Sequence, residues 1–183
     1  MALKRLAIEG YGQLELNNAA FRRDGRIEAQ CALDSSDFSE MPAENGMLLA
    51  VDSVASKIKI ADGSLPVVLN YSAEHMYESA KSGLKNFKLE WEDGFLPRCG
   101  YLSKGDKFTT NTIAYDTGLY ANDSAMWSAV ESVATTPIYG GICSNGAIAL
   151  FSAAPTQGPV LKVIEASTMP DGQPAIHFVC IAE

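Results

Sequence analysis

Glycine-containing turn dipeptides divide this chain into short extended runs, and this spacing constrains the fold more than any other feature of the sequence. Asp24-Gly25, Asn145-Gly146 and Asp171-Gly172 each separate two apolar or alternating runs. The central positions of a two-residue hairpin turn require positive φ, and Gly, Asn and Asp tolerate positive φ best. These dipeptides therefore favour such turns. Runs of this kind recur at spacings of about 8 to 15 residues without a βαβ rhythm. The sequence therefore predicts a mainly β fold, a sandwich or barrel of about ten short antiparallel strands.

The runs also predict which strands are neighbours. Residues 46–51, 57–60 and 65–70 form a predicted meander, and residues 107–115 form one Thr- and aromatic-rich strand. Residues 86–92 alternate strictly, which predicts a strand with Trp91 pointing inward. Two C-terminal hairpins are expected, one pairing 138–143 with 147–151 and the other pairing 160–165 with 175–181.

Two short helices are predicted beside these strands. One covers 72–83, with Ser72 as its cap, and the other covers 124–132, with Asn122 or Asp123 as its cap. Residues 34–45 are predicted to be a polar loop. A chain of 183 residues predicts one β-rich domain over 1–183, and residues 1–33 are candidates for an N-terminal hairpin arm.

The charge balance bears on the choice of partners. The net charge is −8 and the sequence pI is about 4.8, so a nucleic acid backbone would be repelled. No apolar run is long enough to cross a bilayer and no export signal is apparent, so we expect no membrane partner and use in solution. Arg22, Arg23 and Arg26 surround Asp24 in a basic hairpin tip, a candidate protein interface.

Catalytic chemistry finds little support in the residue patterns. Cys31, Cys99, Cys143 and Cys180 are scattered without metal-site spacing, which predicts separate reduced thiols in the core. His75 falls on a predicted helix, while His177 falls on the polar face of a predicted strand. Phosphate-binding glycine motifs and nucleophile elbows are missing from the sequence. We therefore predict a protein without cofactor, metal site or catalytic residues, one that is not an enzyme.

Weaker alternatives remain open at this stage. Glu90, Glu92 and Asp93 beside Trp91 could serve a carbohydrate-active enzyme, and Cys143 could serve a cysteine hydrolase. A carbohydrate-binding module would require Trp91, Trp127 or tyrosines to be exposed in a row, whereas both tryptophans are expected in the core. A loop with oxygen ligands contains Asp116, Asn122 and Asp123, but it lacks the spacing of a calcium-binding loop.

Several stretches carry a resemblance to a known family: YGQLELNN at 11–18, AFRRDGRIEAQ at 20–30, ENGMLLAVD at 44–52, GYLSKGDKFTTN at 100–111, and LKVIE at 161–165 with DGQPA at 171–175. These stretches resemble head accessory proteins of tailed bacteriophages and prophages of Firmicutes. The resemblance spans most of the chain, although its motifs are structural turns.

The resemblance implies a virion structural protein, a capsid decoration or cement protein that binds the outside of the shell. Its partners would be the major capsid protein and further copies of itself, as dimers or trimers. The protein would be made in the host cytoplasm and located on the capsid surface. Another virion role, as a major capsid protein or tail component, is the alternative, and no catalytic residues come with the resemblance.

Overall fold

The computed structural model describes residues 2–20, 29–72 and 84–183 of the chain. Strands dominate this part of the chain, so the predicted mainly β fold is confirmed. The strands in chain order are β1 (Leu3–Arg5), β2 (Leu14–Ala20), β3 (Ala32–Leu33), β4 (Leu48–Asp52), β5 (Lys57–Ile60), β6 (Val67–Asn70), β7 (Cys99–Gly100), β8 (Lys107–Thr110), β9 (Ile113–Asp116), β10 (Tyr139–Gly141), β11 (Ile148–Phe151), β12 (Val160–Thr168) and β13 (Pro174–Ala182).

Eight of these strands form one sheet that curls back on itself. Their order is β1-β9-β11-β10-β12-β13-β8-β2. Only Asn111 and Thr112 separate β8 from β9, so the facing ends of these strands lie within about 10 Å of each other. Because β8 and β9 nevertheless stand near opposite ends of the order, the sheet must bend round into a barrel-like ring. Strands β1 and β2 flank the ring outside β9 and β8.

The barrel interior is filled by alternate side chains of its strands. Phe108, Leu161 and Phe178 are fully buried there, and the rings of Phe108 and Phe178 lie 5.8 Å apart between centroids. The same alternation of apolar and polar residues is what predicted these strands from the sequence. The barrel core thus follows from the two-residue repeat of side-chain direction along a strand.

The second sheet has the order β3-β5-β4-β6-β7 and is covered on both faces. Leu48 and Leu69 pack into the barrel core, while Leu49 and Val68 pack into a second cluster around Phe38. Burial on both faces explains why residues 46–51 read as a continuous apolar run. The predicted meander is wrong, because β4 lies between β5 and β6.

Both C-terminal hairpins are confirmed. Strand β10 pairs with β11, and β12 pairs with β13, all antiparallel. Not every pair is antiparallel, however, because β11 runs parallel to β9 and β3 runs parallel to β5. The single strand predicted over 107–115 is wrong, since the chain bends at Asn111 and Thr112 into two strands.

The helix predicted over 124–132 is confirmed as α2 (Asp123–Glu131), while α1 (Ser35–Phe38) interrupts the loop predicted over 34–45. The Asn122 side-chain oxygen caps α2 by accepting from Ala125 N at 2.9 Å. Most of the other predicted helix, 72–83, lies outside the described residues. So does most of the basic hairpin tip, including Arg22, Arg23, Asp24 and Arg26, and the arm predicted over 1–33 stays a prediction.

Candidate interaction loop and a buried polar network

Residues 91–96 form a surface loop that carries three large apolar side chains, and we call it the apolar loop. Trp91 is 38% exposed, Phe95 65% and Leu96 49%. Only two other large apolar side chains are exposed among the described residues, Val54 and Leu119, and they lie apart in sequence. Clustered apolar exposure of this kind marks interaction sites, whereas single exposed residues are ordinary.

Both ends of the apolar loop are anchored to the fold. Before it, the backbone N–H and C=O of Leu89 pair with Ala43, with both N···O distances 2.9 Å. After it, Arg98 N donates to Ser72 Oγ at 3.0 Å, and Tyr71 N donates to Arg98 O at 2.9 Å. The loop therefore projects from a fixed base.

The strand predicted over 86–92 is wrong, and so is the inward position of Trp91. The chain instead forms short 3-10 helices at Leu84–Asn86 and Trp91–Asp93, and the second ends at Gly94 with φ 67°. Positive φ at Gly94 turns the chain outward before Phe95. The alternation of residues 86–92 did not produce a strand: among the described residues, the segment pairs through a single isolated bridge at Leu89.

The apolar loop itself carries two exposed acidic side chains. Glu92 and Asp93 are exposed within it, and Arg98 is exposed just after it. Glu90 forms an ion pair with Lys88, whose ammonium also lies 5.1 Å from the centre of the Tyr11 ring. The pair neutralises Glu90, so the exposed charge of the loop itself is negative.

A second unusual region lies inside the molecule, where the bend between β8 and β9 meets the second sheet. We call it the buried polar network. Glu44 accepts at 2.5 Å from both the Arg5 guanidinium and Gly12 N. Asn70 Nδ2 donates to Glu44 O at 2.9 Å. These contacts join β1, the chain before β2, the chain before β4 and the end of β6.

The bend itself is held by side chains of the same network. Asn111 Oδ1 accepts from Gln13 N at 2.7 Å, and Thr110 Oγ1 donates to Gln13 O at 2.5 Å. Thr112 Oγ1 donates to Asn45 O at 2.5 Å. Thr112 N also donates to Thr110 Oγ1 at 3.1 Å, a local side-chain bond that takes the place of a ladder hydrogen bond where the predicted strand breaks.

Four buried side-chain atoms in this network lack a protein partner among the described residues. Two are donors, Arg5 Nε and Asn111 Nδ2, and two are acceptors, Gln13 Oε1 and Asn45 Oδ1. Donors and acceptors balance, a set that internal water can satisfy. The network therefore fits a structural role in holding the bend.

The cysteine suggested for a hydrolase lies in a buried position. Cys143 Sγ lies 2.8 Å from Asn145 Oδ1 and 3.1 Å from Ala147 O, two acceptors for its single S–H proton. Burial raises the pKa of this thiol above its ordinary value. The hydrogen bonds and the charge of Arg5 lower the pKa by a smaller amount. Because the reactive species would be the thiolate, this environment disfavours nucleophilic attack. The sulfurs of all four cysteines are free of disulfide bonds.

His177 lies on β13 and contacts a carboxylate rather than a nucleophile. Its Nδ1 is 3.3 Å from Glu165 Oε1 on β12, and its side chain is 22% exposed. His75 lies outside the described residues.

Asp123, which the sequence placed in a candidate calcium loop, instead makes contacts within the protein. Its carboxylate accepts from Lys4 Nζ at 2.8 Å and from the Tyr115 hydroxyl. Hydrogen bonds from Lys4 and Tyr115 lower the pKa of Asp123 to about 2. Within residues 2–20, 29–72 and 84–183, no group of three or more histidine, cysteine or acidic side chains is arranged to hold a metal ion.

Comparisons with protein-family models, curated proteins and solved structures found no match to this chain. The described part of the chain contains no helix that is long and apolar enough to cross a membrane.

Sequence reasoning missed both unusual regions. The apolar loop had a usable signal, because Asp93-Gly94 lies between two apolar groups and could have been interpreted as a projecting turn. The buried polar network had none, since its members are distant in sequence and meet only through the bend between β8 and β9.

Proposed function

We propose that this protein is a structural component of a virus particle that binds the outside of a tailed-phage capsid as a decoration protein. The observation that carries the proposal is the apolar loop, because an exposed apolar cluster on a fixed base suits a permanent contact with another protein. The phage-like segments of the sequence supply the kind of partner. Under this proposal the protein works by binding.

The surroundings of the candidate nucleophile and carboxylates also favour binding over catalysis. Cys143 is buried with a raised pKa, and Glu90 is paired with Lys88. Trp91 lies on an exposed turn. A groove of about 500 Å³ lies between residues 63–67, 101–102 and 158–159, but Glu183 is the one carboxylate among its lining residues.

The charge of the chain agrees with a position on the outer surface of a shell. A net charge of −8 suits a surface that faces solvent and disfavours contact with packaged nucleic acid. In this proposal the partners are the major capsid protein and further copies of the chain. The protein is made in the host cytoplasm and resides on the virion, and Arg22, Arg23, Asp24 and Arg26, predicted from the sequence to lie at a hairpin tip, contribute to its contacts.

The proposal is tested by mixing the purified protein with undecorated shells assembled from the major capsid protein of the same genome. We expect cosedimentation that saturates, and ordered density at a fixed position on the shell in averaged electron micrographs. An unrelated acidic protein serves as the control for nonspecific adsorption. Shells that carry no ordered density at saturating protein would overturn the proposal.

A further inference from the structure

We propose that the apolar loop is the element that docks on the shell, and that it enters an apolar pocket rimmed by basic side chains on a protein other than this chain. This inference rests on the proposed function and specifies its contact surface. It follows from three properties of the loop: its apolar area, its fixed base and its charge.

The apolar area is concentrated in six consecutive residues. Trp91, Phe95 and Leu96 together expose an area on the order of 300 Å², within the range of functional patches on small proteins. Aromatic side chains that enter a partner pocket commonly supply most of the binding free energy of an interface. Val54 and Leu119 are also exposed, but they lie far from each other and from the apolar loop in sequence.

The fixed base lowers the cost of docking. Backbone pairing of Leu89 with Ala43 and the hydrogen bond from Arg98 N to Ser72 Oγ hold the two ends of the loop. Asp93 N donates to Glu90 O at 3.3 Å inside the loop. A loop that is already held in one conformation loses less entropy on binding.

The charge of the loop indicates the chemistry of the occupant. Glu92 and Asp93 are exposed beside the apolar side chains, Glu90 is paired with Lys88, and Arg98 supplies one positive charge at the base. A symmetric contact in which two copies meet through this loop would bring Glu92 and Asp93 of one copy close to those of the other, in molecules that each carry a net charge of −8. A pocket with a basic rim on a different protein fits this surface better.

The apolar part of the proposal is tested with a pair of double variants on undecorated shells. Phe95→Ser with Leu96→Ser should weaken binding by about tenfold or more, because it removes two exposed anchors. Val54→Ser with Leu119→Ser removes the other two exposed apolar side chains and should change binding by less than about threefold. Urea unfolding midpoints confirm that both variants remain folded.

The electrostatic part uses a second matched pair. Glu92→Lys with Asp93→Lys should weaken shell binding by about tenfold at low salt, and the loss should shrink as salt screens the rim charges. Glu40→Lys with Glu131→Lys makes the same change in net charge at exposed positions elsewhere and should have less than about a third of that effect. If the two pairs of variants weaken shell binding equally, the proposed basic rim of the partner pocket is wrong.

The outcomes separate this inference from the proposed function. Wild-type protein that fails to bind shells overturns both. Wild-type protein that binds, with undiminished binding by Phe95→Ser with Leu96→Ser, overturns the docking loop and leaves the proposed function standing. If this variant keeps shell binding but changes from an oligomer to a monomer by light scattering, the occupant is a second copy and the inference is wrong.

Discussion

The apolar loop and the buried polar network both depart from the usual distribution of side chains: the loop exposes apolar groups, and the network buries polar ones. In the loop, Trp91, Phe95 and Leu96 remain in water. In the network, Asn111 and Thr112 are fully buried. The buried polar groups are largely matched by partners inside the chain, including Gln13 N and Asn45 O, whereas the apolar groups of the loop keep a large part of their surface in contact with solvent.

The comparison separates residues that shape the fold from residues available to a partner. A buried polar group costs free energy unless it is hydrogen-bonded, so the network must form whenever the protein folds. An exposed apolar group costs the folded state little relative to the unfolded state, because it is in water in both. Substitutions in the network should therefore change stability, and substitutions in the loop should change binding.

The largest expected effect distinguishes two glycines that both have positive φ. A Cβ at Gly46 (φ 83°) would overlap Thr110 Oγ1 in the buried polar network, whereas a Cβ at Gly94 (φ 67°) in the apolar loop would meet nothing within 4 Å. Gly46→Ala should lower the free energy of unfolding by about 2–5 kcal/mol, and Gly94→Ala by about 1 kcal/mol, measured by urea unfolding. Equal losses would show that overlap with the network is unimportant.

A smaller effect is expected when one hydroxyl is removed from the network. Thr112→Val keeps the side-chain shape but leaves Asn45 O without its donor, and it should cost about 1–3 kcal/mol of unfolding free energy. The control is Thr117→Val, which removes a hydrogen bond of 3.1 Å to Ala2 O at an exposed site and should cost less than about 0.5 kcal/mol. Similar losses in urea unfolding would contradict the structural role of the network.

Asp123 provides an intermediate case, a partly exposed polar group that ties β1 to α2. Its pKa is lowered from 3.8 to about 2 by hydrogen bonds from Lys4 and Tyr115. The folded state therefore favours the carboxylate, and its stabilisation is complete above about pH 5 and lost as the pH falls towards 2. Solvent screening limits the contribution to about 1 kcal/mol.

Asp123→Asn should accordingly lower the free energy of unfolding by about 1 kcal/mol at pH 7, with the difference from wild type vanishing near pH 2. Unfolding in urea at a series of pH values measures this. Lys4→Ala should show the same trend, since it removes the first of the two donors. A difference that stays constant down to pH 2 would disprove the assignment.

The smallest effect on stability is expected in the apolar loop. Phe95→Ser with Leu96→Ser should change the free energy of unfolding by less than about 0.5 kcal/mol, because both side chains are exposed. Leu89→Ala, at the buried anchor two residues before the loop, should instead cost about 2–5 kcal/mol. A large loss of stability in the loop variant would show that Phe95 and Leu96 contribute to the folded core. It would contradict the distinction between loop residues that bind a partner and network residues that stabilise the fold.

Part of the fold and little of the candidate site could be predicted from the sequence. The hairpins around Asn145-Gly146 and Asp171-Gly172 and the helix capped by Asn122 were predicted correctly, because each depends on residues close in sequence. The outward turn at Gly94 was missed, because the alternation of residues 86–92 gave the stronger strand signal. The exposure of Phe95 depends on what packs beside it, which alternation does not report.

The sequence by itself determined that this is a β protein, where its C-terminal hairpins turn, and that its net charge is acidic. The tertiary structure decided that β4 lies between β5 and β6, that the large sheet bends round so that β8 and β9 meet at their ends, and that Trp91 is partly exposed to solvent. The physical reason is the range of the interactions. Turn chemistry acts over two to four residues and can be recognised locally. Strand order and burial depend on contacts such as Thr112 with Asn45, which lie 67 residues apart.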